Sequence, residues 1–236
     1  MTVEIAKTRI SPSDLTFGWT GCRKCFWLKY RHGVSHQGPF PGIVTSLSAR
    51  QERWYKQRHS HDFWSGLPSG IVDSTGKMLE STPIVVNGVQ TPFNLGGKYD
   101  FLISYDDGTF GVIDTKVVSH GGKAQFYWAQ LAAYDYILSN PMKGDPRRCT
   151  TLGLMVWEIA DAERDSADVF KVGFSAAYEP VEVDPNRFET FIAEVVTVLL
   201  GEMPESAEKC PNCDYAAKRG ELSALSELAH SNHLVK

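Results

Sequence analysis

The stretch GGKYDFLISYDDGTFGVIDTK, residues 96–116, decides how this chain folds. Two strand-like runs, Phe93 to Ser104 and Thr109 to Val118, flank Asp106-Asp107-Gly108, which has the composition of a tight hairpin turn. Residues two apart on a strand share a face, so Asp114 and Lys116 project together. Closing the hairpin brings Asp100, on the neighbouring strand, within reach of the same patch. The flanking residues Phe101, Leu102, Val112 and Ile113 are apolar and place this patch in the body of the domain. Two carboxylates and an amine are costly there unless they are paired. Taken alone, Asp114-Thr115-Lys116 also fits a same-face ion pair on an exposed strand.

Outward from the hairpin, residues 12–31 read as one helix opening at Ser11 or Ser13, followed by a Gly/Pro-rich loop over 33–42. Residues 43–59 read as a second helix, dense in Arg, Gln, Glu and Lys, and polar loops fill about 65–80. Ile84 to Val89 adds a strand. Residues 123–139 have helical spacing through Phe126, Leu131, Tyr134 and Leu138. Leu152 to Ile159 is a further apolar strand, and 169–174 and 179–183 add two more. Asp184-Pro185 opens a helix that runs to about Leu200, because proline suits the first turn. This order predicts an α/β fold with a mixed central sheet flanked by helices. One domain spans 1–236, with a core over about 43–200. The end segments 12–31 and 202–236 meet as a small cap.

The chain has 236 residues, 42% of them hydrophobic, and a net charge of −4. A protein that coats DNA is usually basic overall, so a nucleic-acid partner would need a local basic surface. Arg23 to Arg31, Arg50 to Arg58 and Lys143 to Arg148 are the candidate stretches, and solvated faces are the plainer account of each. The most apolar run, Phe188 to Leu200, is too short for a bilayer and carries Glu189 and Glu194. The first fifteen residues have no apolar core. The expectation is a cytoplasmic protein with no membrane partner.

The acidic patch suits phosphodiester hydrolysis. That chemistry uses a hard cation, Mg²⁺ or Mn²⁺, held by one or two carboxylates. Asp100 and Asp114 are the candidate ligands, with the carbonyl of Thr115 as a third. Lys116 could orient or deprotonate the attacking water and offset phosphate charge. Downstream, Gln130 and Tyr134 are four apart and share a helix face. Four of the five cysteines form two Cys-x-x-Cys pairs, Cys22 with Cys25 and Cys210 with Cys213. Such pairs make a four-thiolate site for zinc or a [4Fe–4S] cluster once the chain ends meet.

Gly97-Lys98-Tyr99-Asp100, then Asp114-Thr115-Lys116, then Gln130-Leu131-Ala132-Ala133-Tyr134 together resemble the PD-(D/E)XK nuclease superfamily. The resemblance is to the branch of RecB-type nucleases and CRISPR-associated iron–sulfur exonucleases, and it spans roughly residues 13–140. It implies a restriction-endonuclease-like core, with Asp100 and Asp114 as metal ligands and Lys116 as the catalytic lysine. Gln130 and Tyr134 would contact DNA or brace the site. It implies an exonuclease-like action on single-stranded or duplex DNA ends, a protein partner in a DNA-processing complex, and a cluster that pins both chain ends. Many relatives carry a His or Glu metal ligand on the first helix. Here no His stands at the expected place, and Glu52 is the best substitute, ahead of His59 and His61. The relatives also split their cysteines one and three, whereas this chain splits them two and two. Two other readings stand beside the nuclease: a catalytically degenerate DNA- or protein-binding module, and a cysteine-based redox or zinc adaptor.

Overall fold

The computed structural model describes residues 5–36, 38, 42–118 and 124–221. The hairpin forms between β5 (Phe101–Tyr105) and β6 (Phe110–Val118), with Phe101 opposite Ile113 and Ser104 opposite Phe110. Gly108 closes its turn at φ +83°, a conformation that costs glycine little. These strands lie inside a five-stranded sheet ordered β2-β5-β6-β7-β8, where β2 is Gly70–Thr75, β7 is Cys149–Ser166 and β8 is Val169–Val181. The β6–β7 pair is parallel and the other pairs are antiparallel. A second sheet of three strands is ordered β1-β4-β3, from Arg9–Ile10, Val89–Lys98 and Met78–Val86. Its β1–β4 pair is parallel.

The fold is therefore mixed α/β, as the sequence predicts, but with two mixed sheets where one was expected. The run 93–104 reads as a single strand. It breaks at Tyr99-Asp100: β4 ends at Lys98 in the small sheet and β5 begins at Phe101 in the large one.

Other expectations are corrected. Residues 12–31 form two helices, α1 (Pro12–Gly21) and α2 (Arg23–His32), because Cys22 between them is extended at φ −160°. The weak helix former Gly21 precedes the break. The polar region 65–80 holds β2 and the start of β3. In β2 two of the three inward positions, Gly70 and Ser74, are too small or polar to reveal a strand period around Val72. Residues 169–174 and 179–181 belong to one strand, β8, paired along β7, and residues 182–183 lie past its end. The helix α3 (Gly42–Tyr55) stops short of 59, and Gln57 turns the chain at φ +61°. After residues 119–123, outside the described residues, a 3-10 turn over Ala124–Tyr127 precedes α4 (Trp128–Ser139). The helix α5 (Pro185–Leu200) is capped by Asp184, whose Oδ1 accepts from the Arg187 amide at 3.0 Å. Residues 211–221 are helical, and the rest of the predicted cap, 222–236, lies outside the described residues.

The large sheet is covered on both faces. Leu102, Val112, Leu152 and Leu154 face the main core with α1, α2, α4 and α5. Phe101, Ile103, Ile113 and Met155 face a second core with Tyr55 of α3 and Phe63. Every residue of α4 except Tyr136 and Ser139 is buried. The helix packs against α1, α5, β3, β6 and β7, so it is apolar on nearly all sides, and Gln130 and Asp135 are its buried polar exceptions. No helix among the described residues is long and apolar enough to cross a membrane.

Candidate functional site

The break between β4 and β5 builds the acidic site. Beyond Phe101 the chain leaves the large sheet, so the next amide of β6 has no strand partner. Asp100 supplies one: its Oδ2 accepts from the Thr115 amide at 2.8 Å and from Thr115 Oγ1 at 2.9 Å. This fixes the Asp100 carboxylate beside Asp114. The upstream Gly97 is where Pro12 of α1 closes in; a Cβ there would sit 2.6 Å from Pro12 Cδ and 3.3 Å from the Tyr134 hydroxyl. Tyr134 in turn donates to the Lys98 carbonyl at 2.7 Å. The Gly-x-x-Asp spacing is thus a packing joint between α1, α4 and the strand break.

Asp114 points to the α4 side of β6 and is only 3% exposed. Its Oδ1 accepts from Gln130 Nε2 at 2.8 Å, and its Oδ2 forms a close ion pair with Lys116 Nζ. Burial pushes the Asp114 carboxyl up to about 7; the Lys116 charge opposes that rise and the Asp100 charge adds to it. Lys116 moves the other way from a buried amine. Burial favours its neutral form, but Asp114, hydrogen-bonded to it, and Asp100 outweigh burial and raise its pKa. Gln130 Oε1 is buried without a hydrogen-bond partner among the described residues.

The structure thus brings Asp100, Asp114, Thr115, Lys116 and Gln130 together, and holds Tyr134 one contact away on the backbone of Lys98. Glu52 is placed differently. Its carboxylate pairs with Lys98 Nζ at 3.4 Å. The four cysteines, not Glu52 with Asp100 and Asp114, are the described residues whose ligand atoms gather as a metal-sized group. The sequence reading missed Tyr127, whose ring lies 4.9 Å from Lys116 Nζ and packs edge-on against Phe17 of α1 at 5.7 Å. Its signal was present: Tyr127, Gln130 and Tyr134 are spaced three and four apart, one helix face.

Two hard carboxylate oxygen donors with unused lone pairs fit a divalent cation.

The second cluster joins the two ends of the described chain. The Sγ atoms of Cys22, Cys25, Cys210 and Cys213 all lie within 4.8 Å of one another. Cys25 is 3.5 Å from Cys213 and 3.6 Å from Cys210, and Cys22 is 3.9 Å from Cys213. Four thiolates on one tetrahedral zinc, with bonds of about 2.3 Å, stand about 3.8 Å apart. The group can therefore hold a metal ion. Burial raises the Cys25 thiol and lifts Cys213 to about 11. Cys22 is held near 7, because amide donors at Ala207 and Cys25 overcome its burial. Trp27 Nε1 donates to the Gly201 carbonyl at 3.3 Å and Arg31 to the Leu199 carbonyl at 2.7 Å, tying α2 to the end of α5 beside the cluster. Cys149 stands apart, buried at the start of β7.

No family model matches the chain, and no curated protein matches it. A solved structure described as "Crystal structure of SSO0001" is similar over 84% of this chain and 78% of its own, at 16% identity and a TM-score of 0.45. That likeness is too loose to bear on function.

Proposed function

We propose that this protein is a metal-dependent deoxyribonuclease that hydrolyses phosphodiester bonds, with an exonuclease-like action on single-stranded or duplex DNA ends. The observation that carries the reading is the convergence of Asp100, Asp114 and Lys116 at one buried patch, with Gln130 donating to Asp114. Asp100 and Asp114 would hold Mg²⁺ or Mn²⁺, which when bound supplies Lewis-acid polarisation of a phosphate oxygen. The Thr115 carbonyl is the further candidate ligand, and Glu52 could join only by leaving Lys98. Lys116, protonated and aimed by Asp114 and Tyr127, offsets phosphate charge and orients the attacking water. Gln130 fixes the Asp114 carboxylate, and Tyr134 fixes the turn that presents Asp100.

At the cysteines, the sulfur spacing favours a single tetrahedral ion, zinc, over a [4Fe–4S] cluster. A cluster places its thiolates on different irons and spreads them further apart than one ion does. Metal analysis of anaerobically purified protein separates the two: one zinc per chain and no visible charge-transfer band, or iron with sulfide.

The deciding experiment is cleavage of end-labelled single- and double-stranded DNA with Mg²⁺ or Mn²⁺, beside Asp114→Ala and Lys116→Ala. Metal-dependent cutting that both substitutions abolish supports the enzyme and its site together. One observation favours a second reading, a degenerate nuclease fold that binds DNA or a partner protein: both Asp114 oxygens and Glu52 already have partners in the chain. DNA binding without cleavage by the unaltered protein would move that reading to the front.

A further inference from the structure

The helix α3 lies across the β4/β5 break. Tyr55 packs on Phe101 with ring centroids 5.2 Å apart. Glu52, one turn earlier, pairs with Lys98, and the neighbouring Gly76 amide donates to the Asp100 carbonyl at 3.1 Å. The inner face of the helix carries Gln51 and Tyr55, both buried. Its outer face carries a different chemistry. Arg50, Arg53, Lys56 and Arg58 are all exposed, and none makes an ion pair among the described residues. The chain as a whole has a net charge of −4, so four uncompensated cations within nine residues concentrate positive charge against the overall balance.

Among these cations stands Trp54, 48% exposed, with the Arg58 guanidinium 4.2 Å from its ring centroid. Arg50 and Trp54 are four apart on one side of the helix. Arg58 lies past its end, beyond the turn at Gln57, and returns to Trp54, its Nε donating to the Trp54 carbonyl at 2.9 Å. The Trp54 ring touches the core only edge-on, against Tyr55 at 4.6 Å, and leaves much of its surface in water. Flanked by guanidinium groups, it is the combination that stacks an unpaired base while the cations hold the backbone phosphates. A duplex keeps its bases stacked inside and offers nothing to such a ring.

We infer that the outer face of α3 is a binding track for single-stranded DNA, with Arg50, Arg53 and Arg58 on successive phosphates and Trp54 under a base, leading to the strand break that carries Asp100. The inference rests on the nuclease reading for the direction in which the strand is led. The surface itself can be tested without cleavage.

The probe is a short fluorescent oligothymidylate, titrated by anisotropy in EDTA over a range of salt. The variants are Trp54→Ala and the triple substitution Arg50→Ala/Arg53→Ala/Arg58→Ala. Trp54→Ala is expected to weaken binding about 5-fold or more, since base–aromatic stacking contributes on the order of 1–3 kcal/mol. The triple variant is expected to lower the slope of log affinity against log salt by about 2, at roughly 0.7 per lost single-strand phosphate contact. Thermal melting of each variant checks that the fold survives, as these exposed side chains predict. Binding and salt slope unchanged in both folded variants would overturn the proposal. So would tighter binding of duplex DNA or of oligouridylate that depends on the same residues. Failure of the nuclease reading looks different: the unaltered protein would bind the oligothymidylate through α3 in EDTA and leave it uncut in Mg²⁺ and Mn²⁺.

Discussion

Gln130 reaches from α4 to Asp114 on β6 and donates to its Oδ1 at 2.8 Å, leaving the ammonium of Lys116 to hold the other oxygen. The carboxylate is thus gripped from two elements before any cation or substrate arrives. A buried acid held this way keeps one orientation, as outer hydrogen-bond partners do for metal ligands generally. Gln130→Ala should lower metal-dependent DNA cleavage about 10- to 100-fold. It should also cost about 1–3 kcal/mol of stability, because the Asp114 oxygen loses its donor. Single-turnover cleavage and urea unfolding check both. Cleavage at the unaltered rate would remove Gln130 from any positioning role.

Gly97→Ala tests the joint that sets Asp100. Its new methyl would press on Pro12 at 2.6 Å and approach the Tyr134 hydroxyl at 3.3 Å. Overpacking of this kind costs about 1–3 kcal/mol. Chemical denaturation should show that loss, and cleavage should fall further than stability alone explains, because the same contacts place Asp100. A fully stable and active variant would show that α1 can back away freely.

The cysteine cluster should act as a clasp. Cys210→Ser should bring the metal content from one ion per chain to none, while Cys149→Ala leaves it unchanged. Loss of the clasp should lower the melting temperature by about 2–8 °C, the shift that a loss of about 1–2 kcal/mol gives in a chain of this size. Amide exchange should accelerate first in the helical residues 211–221 and at the end of α5. A Cys210→Ser protein that keeps its metal would place the ion elsewhere.

Asp135 gives a pH signature. Burial raises its carboxyl from the usual range to about 6, so the fold favours the protonated acid. That contribution is complete below about pH 4 and is lost as pH rises through about 6. Asp135→Asn cannot lose it. Relative to the variant, the unaltered protein should lose up to about 3 kcal/mol between pH 4 and pH 8. Urea unfolding at intervals across that range measures the divergence. A constant gap at every pH would mean that Asp135 titrates alike in the folded and unfolded chains.

The local signals in the sequence were strong where the chemistry is local. The turn at Asp106-Asp107-Gly108, the shared face of Asp114 and Lys116, and the proline at the start of α5 each depend on a few neighbouring residues, and each appears at its expected place. The paired cysteines announced a cluster for the same reason: thiols three apart in a Cys-x-x-Cys are a local feature, and only the meeting of the two pairs is not.

What a one-dimensional reading could not supply is where a strand changes partners. Phe93 to Ser104 reads as one strand-like run despite Gly96-Gly97 and Asp100, yet it crosses from one sheet to another at Tyr99-Asp100, because Pro12 and Tyr134 close on Gly97 while Thr115 captures the Asp100 carboxylate. The same limit hid β2, whose inward Gly70 and Ser74 show no apolar period. Sequence by itself determined the turn at Asp106-Asp107-Gly108, the strand that carries Asp114 and Lys116, and the residue types within the acidic patch, since these follow from neighbours along the chain. Tertiary structure alone decided that there are two sheets, that Glu52 turns to Lys98, and that Cys22 and Cys25 meet Cys210 and Cys213. Those outcomes depend on contacts between distant residues, and their energies appear in no local window of sequence.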